Sequence, residues 1–471
     1  MNPSVTGDGG KGIARKAEAG LSAALAHAPY LAEGSSAEER ENRGPDSSPL
    51  DLGQGREIRT RIVQRVDDPS PNNANAQALD DLANGAEGIA IVFEGAPNAF
   101  GNGLPVSQEA LAAALSDIPL TRTHIRLDVH PQSRASVDWL VQILASRRVS
   151  PDRLDISFGI DPAALFAGTG RLRMSIEAMH ASMPQSLAHF FALGVPGILL
   201  EADGRVFHNA GASDVQELAI MLASAMSYLR MFEEARQPVL YAAAHVGFAT
   251  SLDQNQSRSI AKIRALRRLW ARVLESYSVP SAEPVIHAET SYRMMTSRAM
   301  ETNLARGALA GLAAMEAGVS TFSPLPHTLP GGLPDMQARR LSRNTLLVLA
   351  AEGNLAPIDA GLGGEMEAFV SFLCDSAWDE LQAIEDEGGI LRSIAAGHIQ
   401  GRIAETRRTH ADRLREGRMP IVGTTLHPSA ESGRRHGRVI GASAGAEDGI
   451  MFCESLPAIR FEDLLEEAAS N

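Results

Sequence analysis

The stretch Gly197-Ile198-Leu199-Leu200, followed by Val206-Phe207-His208-Asn209-Ala210-Gly211-Ala212-Ser213-Asp214-Val215-Gln216-Glu217-Leu218, decides how the chain is read. The short apolar run has the signature of a fully buried strand, and the segment after Ser213 has helical periodicity. Ser213 can accept from the backbone of the first helical turn, and Gln216, three residues on, can answer it to complete a capping box. A histidine, His208, falls in the connection between strand and helix. In repeated strand-helix architectures this is where chemistry is carried.

Working outward, the same alternation recurs. Helical residues 75–82 lead to Ile89-Ala90-Ile91-Val92-Phe93, and helical residues 109–115 lead to Ile125-Arg126-Leu127-Asp128-Val129. Helices over 135–145 and 184–192 lead to Leu154-Asp155-Ile156-Ser157-Phe158 and to Ile198-Leu199-Leu200. The capped helix 214–234 leads to Val239-Leu240-Tyr241-Ala242-Ala243, helix 256–277 to Val285-Ile286-His287-Ala288, and helix 303–317 to Val319-Ser320-Thr321-Phe322. An eighth, weaker strand is read at 355–358, after a helix over 344–351. Eight strands with helical crossovers fit an α/β fold of the (β/α)8 TIM barrel type. A doubly wound open sheet accounts for the same alternation less economically, since it needs several reversal points.

The 471 residues are 44% hydrophobic and 21% charged, an ordinary composition for a water-soluble domain. A formal net charge of −14 argues against a nucleic-acid backbone as principal ligand. Two cysteines, Cys374 and Cys453, support neither a disulfide framework nor a thiolate cluster. No apolar run reaches about 18 residues and no signal-peptide core opens the chain, so a cytoplasmic protein without a membrane anchor is expected.

Residues 1–55 mix Gly, Ala, Glu, Asn, Asp and Pro and read as an extended or flexible arm. The run Gly7-Asp8-Gly9-Gly10-Lys11-Gly12 lacks the preceding strand and the Gly-Lys-Ser/Thr of a phosphate loop. The barrel is assigned to 56–365. Helices over 369–387 and 391–414, joined by Gly388-Gly389, make a helical hairpin over 366–430, and 431–471 forms a surface loop and tail. On helix 256–277 the cations Lys262, Arg264, Arg267, Arg268 and Arg272 alternate with apolar residues, which predicts a solvated basic outer face.

If the barrel is right, polar residues after the strands converge at one mouth: Asp161-Pro162, Arg205 with His208, His245, and His287 with Glu289. His287 and Glu289, two apart, can share a face. Histidines with a carboxylate suit either a metal site or an acid-base cluster. No His-x-x-x-His spacing supports a metal, and none is assigned. For each histidine the competing reading is a hydrogen-bonded structural side chain. There is no dinucleotide fingerprint and no serine nucleophile elbow.

Gly211-Ala212-Ser213-Asp214-Val215-Gln216-Glu217-Leu218-Ala219, running on to Tyr228-Leu229-Arg230, resembles the adenosylcobalamin-dependent methylmalonyl-CoA mutase family. So, in the family's order, do Arg56-Glu57-Ile58-Arg59, Ser259-Ile260-Ala261-Lys262-Ile263-Arg264, Leu341-Ser342-Arg343-Asn344-Thr345, Gly388-Gly389 with Ile403-Ala404-Glu405, and Leu456-Pro457-Ala458-Ile459-Arg460. The resemblance implies an open barrel threaded by an acyl-CoA and closed in catalytic members by a cobalamin-binding domain. It also implies departures. The family's Tyr-His is Phe207-His208 here, and its early tyrosine aligns with Arg65. Its Arg-Thr-His-Ser-Gln is Val285-Ile286-His287-Ala288-Glu289, and its Ser-Leu-His-Thr-Asn has become Thr321-Phe322-Ser323-Pro324-Leu325-Pro326. The lower-ligand motif Asp-x-His-x-x-Gly is not found, and the chain runs only a few residues past Arg460.

The reading that follows is a small, non-catalytic subunit of a heterodimeric mutase, binding no cofactor by itself and meeting adenosylcobalamin through a large catalytic subunit that the arm of 1–55 wraps. The alternative is a substrate-binding subunit served by a small cobalamin-binding protein. A regulatory barrel and an unrelated barrel enzyme are further alternatives. Family-matched positions make His208, His287 and Glu289 the candidate catalytic set. Phe207, Arg205, His245 and Asn303 form the candidate substrate-binding set, for an acyl-CoA. Homodimerisation in isolation is left open, as is the acyl group.

Overall fold

The computed structural model describes residues 60–353, 364–428 and 449–465. Eight parallel strands run β1 Arg61–Val66, β2 Gly88–Ile91, β3 His124–Leu127, β4 Asp155–Phe158, β5 Leu200–Asp203, β6 Val246–Leu252, β7 Val285–Thr290 and β8 Thr321–Ser323. Their order in the sheet is β4-β3-β2-β1-β8-β7-β6-β5. The ends meet through a parallel bridge between Ser157 and Ile198. There the Phe158 N–H donates to the Ile198 carbonyl at 2.8 Å, and the Ile198 N–H to that of Ile156 at 3.3 Å. The (β/α)8 barrel is thus closed at its β4–β5 seam by a bridge rather than a full ladder.

The first half of the barrel carries helices α1 Pro71–Ala83, α2 Gln108–Ala114, α3 Ser133–Ser146, α4 Pro162–Thr169 and α5 Ile176–Ala192. The second half carries α6 Arg205–Asn209, α7 Asp214–Glu234, α8 Val239–Ala244, α9 Gln256–Ser276, α10 Thr302–Glu316 and α11 Met336–Glu352. The capping box at α7 forms as expected: Ser213 Oγ accepts from Gln216 N and Gln216 Oε1 from Ser213 N. Past the barrel, α12 Gly364–Asp386 lays Phe369, Val370, Leu373, Ala377, Leu381 and Ile384 against α7 and α9. That outer layer buries α7 on nearly every side. The helix expected over 391–414 is two helices, α13 Ile390–Ala395 and α14 His398–Arg415, parted at Gly397, which takes a left-handed φ of 80°. Among the described residues no helix is long and apolar enough to cross a membrane.

Three readings are corrected. Residues 239–243 are not a strand but helix α8, whose Leu240 and Tyr241 face solvent, and the strand follows as β6. The first barrel strand is β1, whereas the strand expected at 355–358 lies outside the described residues, as does nearly all of the loop read at 431–449. The basic face of α9 is not solvated throughout. Lys262 is buried against Glu217, Arg267 caps the carbonyls of Ala317 and Gly318, and Arg272 lies 3.7 Å over the Trp378 ring beneath α12.

Candidate functional site at the barrel axis

The strand register fixes which side chains face the axis. Arg65, Ala90, Arg126 and Ser157 pair across β1 to β4, and Asp203, Ala249, His287 and Thr321 across β5 to β8. Above the lower rim the interior alternates by strand. β2, β4, β6 and β8 contribute Ala90, Ser157, Ala249, Ser251, Thr321 and Ser323. β1, β3, β5 and β7 contribute Arg65, Arg126, Glu201 and His287, with Asp67, Asp128, Asp203 and Glu289 two residues further on. Layers built from alternate strands are the habit of this barrel, but they are ordinarily branched and apolar. Here small residues on one set of strands leave room for long charged ones on the other.

Those long side chains meet over the intervening strands and fill the axis. Arg126 holds Glu201 bidentately, with Nη1 2.5 Å from Oε1, and reaches Asp128 at 3.0 Å. Arg205, just past β5, binds Asp203 through Nε at 2.9 Å and Nη2 at 2.7 Å, and also grips Asp128. Glu289 lies 3.6 Å from Arg205 and 3.5 Å from Arg65, and Arg65 binds Asp67 at 2.6 Å. Every member of this chain of ion pairs is buried. At the lower rim Asp155 bridges His124 and Arg61. On the upper side the segment 453–461 crosses the loops, its backbone bonded to Gly170, Ala167, Asn209 and Arg293.

The environment sets each charge. Burial disfavours the Asp128 carboxylate, but Arg205 and Arg126 outweigh it and hold the group well below the usual range. Glu201 and Glu289 are pushed upward by burial against the same guanidiniums. His287 bonds Thr321 Oγ1 through Nδ1 at 2.9 Å, and its Nε2 has no partner among the described residues. Burial, with Arg126 and Arg205 near it, drives its pKa well down, so the imidazole is neutral and its surroundings repel a cation.

His208 sits in α6 rather than in a loop, outside this network. Its Nδ1 lies 2.9 Å from Glu217 Oε2 and its Nε2 2.8 Å from Ser291 Oγ. Glu217 also takes Lys262 Nζ at 2.8 Å and Thr250 Oγ1 at 2.5 Å. Burial opposes the Glu217 charge, yet Lys262 and His208 bring its pKa down to about 2. Burial and then Arg293 bring that of His208 down to about 4. With both ring nitrogens engaged, His208 offers neither a base nor a ligand.

A pH prediction follows. The folded pKa of His208 is depressed below the unfolded value of roughly 6.5, so only the unfolded chain takes up this proton between about pH 6.5 and 4. Stability therefore falls as pH drops through that window, by up to about 3 kcal/mol for this one group. Urea unfolding of the wild type and of His208→Asn between pH 7.5 and 4.5 measures it. The variant is expected to be less stable at pH 7.5 and to have a shallower pH slope. Equal slopes refute the assignment.

The other expected residues are distributed as follows. Glu289 and His287 do share the inward face of β7. Arg205 lies at the centre of the axis network. Phe207 is fully buried in the hydrophobic core. Asn303 is saturated by Thr296, His327 and Arg306, pinning two loops. His245 is not at the mouth: it precedes β6, at the opposite end, and bonds the Gly197 carbonyl at 2.6 Å. Its misplacement came from reading α8 as the strand. Asp161 caps α4 and accepts from Ala163, Asp203 and Tyr228, while burial pushes its carboxyl up to about 7. Sequence reading missed Glu217, Lys262 and the paired charges of β1, β3 and β5. A signal existed in Arg65-x-Asp67, Arg126-x-Asp128 and Glu201-x-Asp203, a repeat at strand period.

Comparison with known proteins places this barrel. The family model described as methylmalonyl-CoA mutase matches residues 58–438. The chain is 33% identical over 371 residues to the methylmalonyl-CoA mutase small subunit of Streptomyces virginiae, covering 78% of this chain and 58% of that one. It is 28% identical over 373 residues to the small subunit of Propionibacterium freudenreichii subsp. shermanii, covering 77% and 56%. To the human mitochondrial methylmalonyl-CoA mutase it is 28% identical over 234 residues, 48% of this chain and 31% of that one. The chain spans about half the length of the curated relatives it matches. The closed barrel, the ordered motifs and the match over residues 58–438 together mean that the chain belongs to the methylmalonyl-CoA mutase family.

Proposed function

We propose that the chain is a non-catalytic small subunit of an adenosylcobalamin-dependent methylmalonyl-CoA mutase, supporting a large subunit that interconverts (R)-methylmalonyl-CoA and succinyl-CoA. The observation that carries this reading is the filled axis. Three guanidiniums and five carboxylates, Arg65, Arg126, Arg205, Asp67, Asp128, Glu201, Asp203 and Glu289, occupy the space an acyl-CoA arm would need. Opening it would separate buried ion pairs, at a cost of several kcal/mol each.

Cobalamin, in this reading, stays with the partner. The residues here do not fit a cobalt ligand, since both nitrogens of His208 are engaged and His287 faces Arg126 and Arg205. No step of the isomerisation is assigned to this barrel. Its contribution is a rigid, water-excluding body for the large subunit to rest on.

The test is to purify the full chain alone, with a large mutase subunit, and with a small cobalamin-binding protein. Each sample is assayed for isomerisation with adenosylcobalamin and for methylmalonyl-CoA binding by calorimetry. Turnover is expected only with the large subunit, alongside co-elution of the two chains and no saturable substrate binding by this chain alone. Turnover with the small cobalamin-binding protein would overturn the proposal in favour of a substrate-binding role.

A further inference from the structure

The segment 453–461 ends against Arg293, just past β7, where the Phe461 N–H donates to the Arg293 carbonyl at 2.8 Å. Arg293 is 5% exposed, yet no carboxylate pairs with it among the described residues. Its Nη1 donates to the carbonyls of His208 at 2.9 Å and Ala212 at 2.6 Å, and its guanidinium lies 5.4 Å over the Phe461 ring. Its Nε has no partner among the described residues. Burial pushes its pKa down, and Asp253, Asp214 and Glu217 offset that only in part. Helix α14 brings two more guanidiniums to the same place. The stem of half-buried Arg407 packs on Gly211, inside the turn that Arg293 binds, so that a Cβ built on Gly211 falls 2.5 Å from Arg407 Cγ. His410, on the next turn of α14, meets the Phe461 ring edge-on at 5.3 Å. Burial, then Arg293, Arg413 and Arg258, pushes its pKa down to about 4. The imidazole is therefore neutral and carries one N–H, and its buried Nδ1 has no partner among the described residues.

The neighbouring acids are mostly taken. Asp214 holds Arg258 at 3.0 Å, Glu217 holds Lys262 at 2.8 Å, and Glu462 and Asp463 hold Arg460 at 2.6 and 2.7 Å. On α14 and just beyond it, Asp412 and Glu416 pair with Arg415 and Arg418, and the exposed Glu405 and Arg408 offset each other in sign. Asp253 alone stands against Arg293, Arg407 and Arg413, and one of its oxygens already accepts the Asn255 N–H. On a chain of net charge −14 this leaves a local excess of two positive charges. We propose that Arg293, Arg407, Arg413 and the His410 N–H bind a phosphoryl dianion, free or as a monoester, between α14 and the turn at 208–212. A dianion balances that excess where a monocarboxylate leaves one cation over, and guanidinium forks match phosphate oxygens. The site lies outside the axis network and does not depend on the chain's part in isomerisation.

Inorganic phosphate, glycerol 3-phosphate and acetate are the probes, titrated calorimetrically into the full chain at about pH 8 and constant ionic strength, where both phosphates are dianions. At least one phosphate is expected to bind saturably, and acetate at least about tenfold more weakly. The tighter of the two phosphates identifies the source, a free ion or a monoester, and either result supports the site. Arg407→Gln lowers phosphate affinity about tenfold, and Arg413→Gln, on an exposed side chain that folding does not need, lowers it severalfold. Arg408→Gln removes the same charge from the adjacent position of α14 and leaves affinity within about twofold, which separates a built site from the general field of the helix. Circular dichroism checks that each variant folds. The proposal is overturned if neither phosphate binds the folded wild type, if acetate binds as tightly, if folded Arg407→Gln and Arg413→Gln both bind like wild type, or if Arg408→Gln loses as much as they do.

Discussion

Replacing Arg205 by methionine is expected to destabilise the chain by roughly 3–5 kcal/mol, because Asp128, Asp203 and Glu289 all lose their shared cation without gaining water. For a barrel of this size that is a fall in Tm of about 5 °C. Lysine does not substitute, since an ammonium cannot span Asp203 through Nε and Nη2 while also holding Asp128. Adding Glu289→Gln to Arg205→Met recovers part of the loss by removing one stranded carboxylate, so the double variant is less damaged than the sum of the singles. The pH sign agrees. Asp128 has a depressed folded pKa, so the stability it contributes is present above about pH 4 and is lost as pH falls through the folded value. Urea titrations of the four proteins read the effect. A single variant within about 1 kcal/mol of wild type would show that the axis network is dispensable.

The same network explains what the sequence could and could not reveal. The alternation of elements was legible because most strands are apolar on their outer faces and the helices carry strong caps, as at Ser213. β1 escaped because Arg61, Arg65 and Asp67 put charge where hydrophobic periodicity is expected, and only Ile62 and Val66 remain to mark its outer face. β6 escaped because its inward positions are Gly247, Ala249 and Ser251, while the more apolar Val239-Leu240-Tyr241 beside it draws the assignment. In both cases the interior had exchanged apolar filling for small residues opposite charged ones. The candidate site was legible as residue types at one mouth, but not as partnerships. That His208 answers Glu217 and Ser291 depends on α7 and β7 folding back to it, which no local pattern encodes.

Gly197→Ala is the second large effect, and it tests how the barrel closes. Gly197 stands at the β4–β5 seam with a φ of 79°, and a Cβ built on it falls 2.0 Å from the Ile156 carbonyl oxygen. That oxygen accepts the Ile198 N–H, one of the backbone bonds that close the seam, and the Gly197 carbonyl itself is held by His245. An alanine must therefore both adopt a left-handed backbone and push the two seam strands apart, and no flexible side chain is present to yield. Gly194 separates the two costs. It has a φ of 72°, ends α5, and has open space where its Cβ would stand. Gly194→Ala is expected to lose only the backbone term, about 1–2 kcal/mol. Gly197→Ala adds the loss of seam hydrogen bonds and packing, for a total of about 3–5 kcal/mol. Hydrogen exchange is expected to show faster exchange at the Phe158 and Ile198 amides in Gly197→Ala and wild-type protection there in Gly194→Ala. If the two substitutions cost the same in urea, the seam bridge contributes nothing to barrel closure, and the filled axis alone holds the strands together.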